Sequence, residues 1–79
     1  MKTLFVYVKC ALGKAYKVAS KIVELEGVSE VYSISGEYDL LIKCYIQKDS
    51  DAGRFVIDGI QNVAGVQDTS TTIAFNAFS

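Results

Sequence analysis

The chain alternates between two hydrophobic periods. From Thr3 to Lys9, Leu4, Val6 and Val8 fall on one side and Phe5, Tyr7 and Lys9 on the other, the period of two that marks a strand. From Gly13 to about Glu26 the period lengthens: Ala15, Val18, Ala19, Ile22 and Leu25 recur at helical spacing, while Lys14, Lys17, Lys21 and Glu24 face water. Gly27 stops this helix as a residue just past its C-cap. Two runs rich in β-branched and aromatic residues follow, Val28 to Ile34 and Leu40 to Ile46, joined by Ser35-Gly36-Glu37-Tyr38-Asp39; they predict a hairpin. The polar break Gln47 to Asp51 offers Asp49 or Ser50 as an N-cap. The second helix, about Asp51 to Val63, buries Ala52, Phe55, Val56, Ile60 and Val63, with Gly53 and Gly59 lowering its propensity. Gly65 ends it, and a long last strand runs from Val66 towards Phe78.

The two halves repeat. Helix, Gly27, Val28, strand returns as helix, Gly65, Val66, strand at an offset of 38 residues, which also carries Leu4, Val6 and Val8 onto Ile42, Cys44 and Ile46. A duplicated β-α-β unit with right-handed crossovers predicts an α+β, ferredoxin-like β-α-β-β-α-β fold: a four-stranded antiparallel sheet with both helices on one face. Leu4, Val6, Val8, Leu40, Ile42, Cys44 and Ile46 belong beneath the helices. Phe5, Tyr7, Leu41 and Tyr45, with Tyr32, Ile34, Ile73 and Phe75, are expected on the other face, where nothing in the chain covers them. Soluble monomers seldom expose apolar patches above roughly 300–600 Å². The uncovered face therefore predicts a dimer closed sheet to sheet over an aromatic core.

Composition narrows the function. A chain of 79 residues is one small domain, and a hydrophobic fraction of 51% supplies a core without disulfides. With 8 basic and 9 acidic residues, a net charge of −1 and no basic tract, the electrostatic footprint of direct nucleic-acid binding is missing. RNA-recognition domains stack bases on a similar aromatic face, but they add basic residues, and here only Lys9 and Lys43 interrupt the sheet. Cys10 and Cys44 have no metal-ligand spacing and there is no histidine, so neither a metal, a cofactor nor thiol catalysis is implied. Two packed, reduced thiols are expected. The early apolar run is too short for a signal core and no stretch approaches a membrane span, so a cytoplasmic location is expected.

The chemistry concentrates in the hairpin turn. Gly36 frees backbone N–H groups that suit a carboxylate, and Asp39 behind them suits an ammonium; Glu37 and Tyr38 flank both. Such a set can grip the two ends of a small zwitterion. The plainer alternative is that Gly36 and Asp39 only make the turn.

The run from Gly27 to Leu41, with Gly36-Glu37-Tyr38-Asp39 at its centre, resembles the signature of the effector-binding domain of Lrp/AsnC-type regulators, the RAM domain. Gly65-Val66-Gln67-Asp68-Thr69-Ser70-Thr71 is similar to that domain's second signature, and the resemblance covers essentially the whole chain. It implies the same fold, sheet-to-sheet dimers that often assemble to octamers, and an amino-acid effector held between dimers near the glycine–aspartate turn. Carried over, Ser35, Gly36, Glu37 and Tyr38 contact the ligand, Asp39 engages the ammonium or organises the turn, and Thr69 and Thr71 offer hydroxyls from the same or a neighbouring subunit. The alternative for the threonines is β-propensity on a half-exposed strand. No helix-turn-helix precedes the first strand, so the likeness is to the stand-alone form of the domain, acting with full-length regulators and not on DNA itself. Two other functions share the fold: a ligand-free scaffold, and an enzyme of the dimeric α+β barrel kind, which needs a deep pocket, usually with a histidine or other acid–base pair, whereas this chain has no histidine or tryptophan and Asp39 sits at a turn.

Overall fold

The computed structural model describes all 79 residues. Its elements run β1 (Lys2–Cys10), α1 (Ala15–Ile22), β2 (Val28–Ser33), β3 (Leu40–Ile46), α2 and β4 (Val66–Ala74). Here α2 is an α-helical turn over Ala52–Arg54 that widens into a π-helix over Phe55–Ile60. The strands form one antiparallel sheet in the order β2-β3-β1-β4, the architecture the repeat predicts. Leu4, Val6, Val8, Leu40, Ile42, Cys44 and Ile46 are buried with Val18 and Ile22 of α1 and Val56 and Ile60 of α2. Each fully buried aliphatic side chain of this kind contributes about 1.5–3 kcal/mol, so the helix-facing stripe of the two central strands is the main support of the fold.

The ends of the elements differ from expectation for local reasons. α1 stops at Ile22, and Glu24 and Leu25 donate to the carbonyls of Lys21 and Ile22, a tightened last turn that leads into Gly27 at φ +94°. In α2 the N-cap is Asp51, not Asp49 or Ser50: its Oδ1 accepts from the Arg54 N–H at 3.1 Å. The helix then widens after Gly53 and across Gly59, the two glycines that weaken a regular helix, with Gln61 N–H donating to the Val56 carbonyl five residues back. β4 ends at Ala74, opposite Thr3. The neighbouring strand begins at Lys2, so almost no partner backbone remains beyond Ala74, and Phe75 and Phe78 are exposed.

Strand register also corrects one side of the open face. Ile73 is paired with Leu4, Thr71 with Val6 and Thr69 with Val8, and directly opposed residues share a face. Ile73 therefore lies on the helix side, and Phe75 lies beyond the strand; neither belongs with Phe5 and Tyr7. The open-face positions of β4 are Asp68, Ser70 and Thr72, opposite Lys9, Tyr7 and Phe5. The apolar patch is thus confined to β2, β3 and β1: Tyr32 opposite Leu41, Leu41 opposite Tyr7, with Phe5 and Tyr45 beside them.

Candidate functional site

The turn between β2 and β3 is tied into the sheet at its far end. Asp39 N–H donates to the Val8 carbonyl and Ile34 N–H to the Asp39 carbonyl, both at 2.9 Å. The Asp39 carboxylate reaches further: Oδ2 accepts from the Cys10 N–H at 2.7 Å. Cys10 lies just past a register shift with β4, where Gln67 of β4 is the extra residue, and β3 begins only at Leu40. Its N–H has no strand partner on that side, and Asp39 satisfies it. The same carboxylate, after burial itself, helps to raise the Cys10 thiol above its ordinary value. Asp39 therefore organises the turn, one of the two roles the sequence left open, with Oδ1 still unengaged.

Ser35, Gly36 and Glu37 are exposed and Tyr38 is half-buried. Gly36 has φ +105° and open space where a side chain would stand. None of the amides from Ser35 to Tyr38 donates to another backbone group. The Tyr38 ring leans on Tyr7, with centroids 5.6 Å apart at 45°, and Lys9 Nζ donates to the Glu37 carbonyl at 3.2 Å. These two contacts fix the turn against the open face of β1. What results is a row of unpaired N–H groups beside a fixed carboxylate.

Thr69 and Thr71 are placed apart from it. Thr69 and Asp39 meet the same residue, Val8, from opposite sides, one by strand pairing and one through its amide. Two strand spacings, roughly 10 Å, separate them. The Thr69 hydroxyl already accepts from Gln61 Nε2 at 2.7 Å, and Thr71 is exposed on the helix side of the edge strand. One small ligand cannot touch the turn and both threonines of the same chain. Nor does either of two surface grooves involve them: one lies between Lys14, Lys17 and Lys21 along α1 and the Val63–Gly65 turn, the other at the opposite end of the sheet around Tyr45, Arg54 and Phe55. The involvement of Gln61 is what sequence reading missed. The offset of 38 held the signal, because it maps Val31, a helix-side residue, onto Thr69.

A turn with free amides beside a fixed aspartate, on this fold, meets a matching family. A family model described as the Lrp/AsnC ligand binding domain matches residues 3–79. The chain belongs to the Lrp/AsnC ligand-binding domain family. It is 40% identical over 60 residues to an uncharacterized HTH-type transcriptional regulator of Pyrococcus abyssi, covering 76% of this chain and 40% of that protein. It thus spans less than half the length of that curated relative. Among solved structures, TTHA0845 from Thermus thermophilus is 33% identical with a TM-score of 0.91, covering 100% of this chain and 99% of that one. The transcriptional regulator of Neisseria meningitidis solved as a complex with L-Met shares the fold, with a TM-score of 0.86 at 20% identity over 99% of this chain and 52% of that one. Membership of this family makes the chain a domain of the ligand-binding type.

Proposed function

We propose that the domain binds a free amino acid at the β2–β3 turn and acts as an oligomeric sensing module for Lrp/AsnC-type regulation, without enzymatic activity and without binding DNA itself. The observation that carries this reading is the row of unpaired amides from Ser35 to Tyr38 beside the fixed Asp39 carboxylate. The amides suit the ligand's carboxylate, and Asp39 Oδ1 suits its ammonium. The Neisseria relative's L-Met complex supports the ligand class. The turn lies on the surface, outside both surface grooves, so a second chain has to close over it. Thr69 or Thr71 of another subunit is the proposed source of the hydroxyl contact. The uncovered face of Phe5, Tyr7, Tyr32, Ile34, Leu41 and Tyr45 forms the dimer, with an octamer as the proposed higher assembly.

Calorimetric titration of the proteinogenic amino acids tests the ligand. At least one is expected to bind, and Asp39→Asn is expected to weaken it ten- to a hundredfold, the loss of a charge-assisted hydrogen bond of about 1.5–3 kcal/mol. Asparagine keeps an oxygen for the Cys10 N–H, so the melting temperature is expected to hold. No binding by any amino acid at millimolar concentration refutes the sensor reading; a lowered melting temperature with unchanged affinity places the ligand elsewhere.

A further inference from the structure

One row across the open face reads Glu30, Lys43, Phe5, Thr72, each opposite the next. Lys43 is thus a lysine in the middle of an aromatic patch, between Leu41 and Tyr45 along its own strand and beside Phe5 across it. Its surroundings are arranged for it. Nζ lies 3.7 Å from Glu30 Oε2 and 5.4 Å from the centroid of the Tyr45 ring. The other oxygen of Glu30 accepts from the Tyr32 hydroxyl. Lys43 and Glu30 keep only 30% and 40% of their side-chain exposure in the single chain, and they lose the remainder if a second sheet covers the face.

We infer that the Glu30–Lys43 pair sets the register of the sheet-to-sheet dimer and selects a second copy of this chain as its occupant. This rests on the dimer reading above. An ammonium has three donors and no acceptor, and one carboxylate oxygen with one ring leaves it underused. When the face is covered, Lys43 loses water and needs a further acceptor from the opposing sheet. The face offers such groups at fixed places: the hydroxyls of Tyr7, Tyr32 and Tyr45, and those of Ser70 and Thr72. Only registers that bring one of them over Lys43 bury it without a large desolvation cost. The face also carries balanced charge, Lys43 with Glu30 inside and Lys9 opposite Asp68 at its edge. A neutral, self-complementary surface suits its own copy and gives a polyanion no field to follow.

The test is a double-variant cycle in self-association, followed by sedimentation equilibrium with Glu30→Met, Lys43→Met and both together. Each single variant leaves a charge unpaired in the interface and is expected to weaken the dimer about tenfold or more. The double variant removes both charges and is expected to return to within about fivefold of the parent. Single variants that dimerise like the parent overturn the inference, as does a double variant as weak as the two losses combined. If a single variant fails to fold, the double variant decides: a recovered dimer supports the pair, a lost one overturns it. Tyr7→Glu separates this from the dimer reading. If Tyr7→Glu keeps the dimer mass, the sheet-to-sheet reading itself falls; if it gives monomers while the single variants do not, only the role of the pair falls.

Discussion

The two β-α-β halves, matched at their offset of 38 residues, agree on the central strands beneath the helices and at the glycine after each helix, and diverge most between β2 and β4. Leu4, Val6 and Val8 correspond to Ile42, Cys44 and Ile46, all buried. Gly27 and Gly65 have φ of +94° and +100°, the same reversal at the same place. On the open face, though, Glu30 and Tyr32 of β2 and Ile34 just beyond it correspond to Asp68, Ser70 and Thr72 of β4. The first half leaves its second strand through the turn held by Asp39; the second half leaves β4 into residues with no strand to join. Duplication preserved what the core requires and kept a tyrosine on the open face of both central strands, Tyr7 and Tyr45; the effector turn and the β2 side of the proposed dimer face have no counterpart in the second half.

The glycines sharpen this comparison most. A Cβ at Gly65 would lie 2.8 Å from Val18 Cγ2, whereas at Gly27 it would meet the Tyr45 carbonyl and Phe55 at 3.1 Å and at Gly36 nothing. Gly65→Ala is expected to cost about 2–4 kcal/mol, backbone strain plus displacement of a buried valine, with Gly36→Ala costing only the strain of about 1–3 kcal/mol. Chemical denaturation of both variants measures this, and equal losses would show that the contact with Val18 adds nothing. Next is the feature without a counterpart in the second half. Asp39→Ala leaves the Cys10 N–H without its partner and is expected to cost about 1–3 kcal/mol; an unchanged denaturation midpoint would mean that water replaces the bond.

Cys44→Val writes the first half's residue, Val6, into the second. Burial pushes the Cys44 thiol up to about 11 from 9.0, so the folded state holds its proton where the unfolded chain releases it. That contribution is complete below pH 9 and disappears as pH rises towards 11, on the order of 2 kcal/mol. Stability profiles between about pH 8 and 11 are expected to fall less steeply in Cys44→Val; identical slopes would assign the alkaline loss to other groups. The smallest effect is expected from Thr69→Val, which writes in Val31. It removes the hydrogen bond from Gln61 and should cost about 0.5–1.5 kcal/mol. If Thr69 instead serves a ligand from a neighbouring subunit, effector affinity measured by calorimetry will fall while the melting temperature scarcely moves.

The positions of Leu4, Val6, Val8, Ile42 and Cys44 were legible because burial obeys a period that any reader of the chain can count. So were the six elements, the two reversing glycines and the duplication, since each depends on local propensity or on spacing. The side of β4 that faces the helices was misread at Ile73, although the offset from Val31 carried the answer; alternation gives two faces but does not say which one is covered. The hydrogen bonds of Asp39 to Cys10 and of Gln61 to Thr69 join residues 29 and 8 positions apart, and the ion pair of Lys43 spans neighbouring strands. Sequence alone determined the repeat and its buried stripe, because hydrophobic period is a property of the chain itself. Only the tertiary structure decided that Asp39 is already engaged and that the threonines lie apart from the turn, because both depend on strand register, which is set by how the whole sheet pairs.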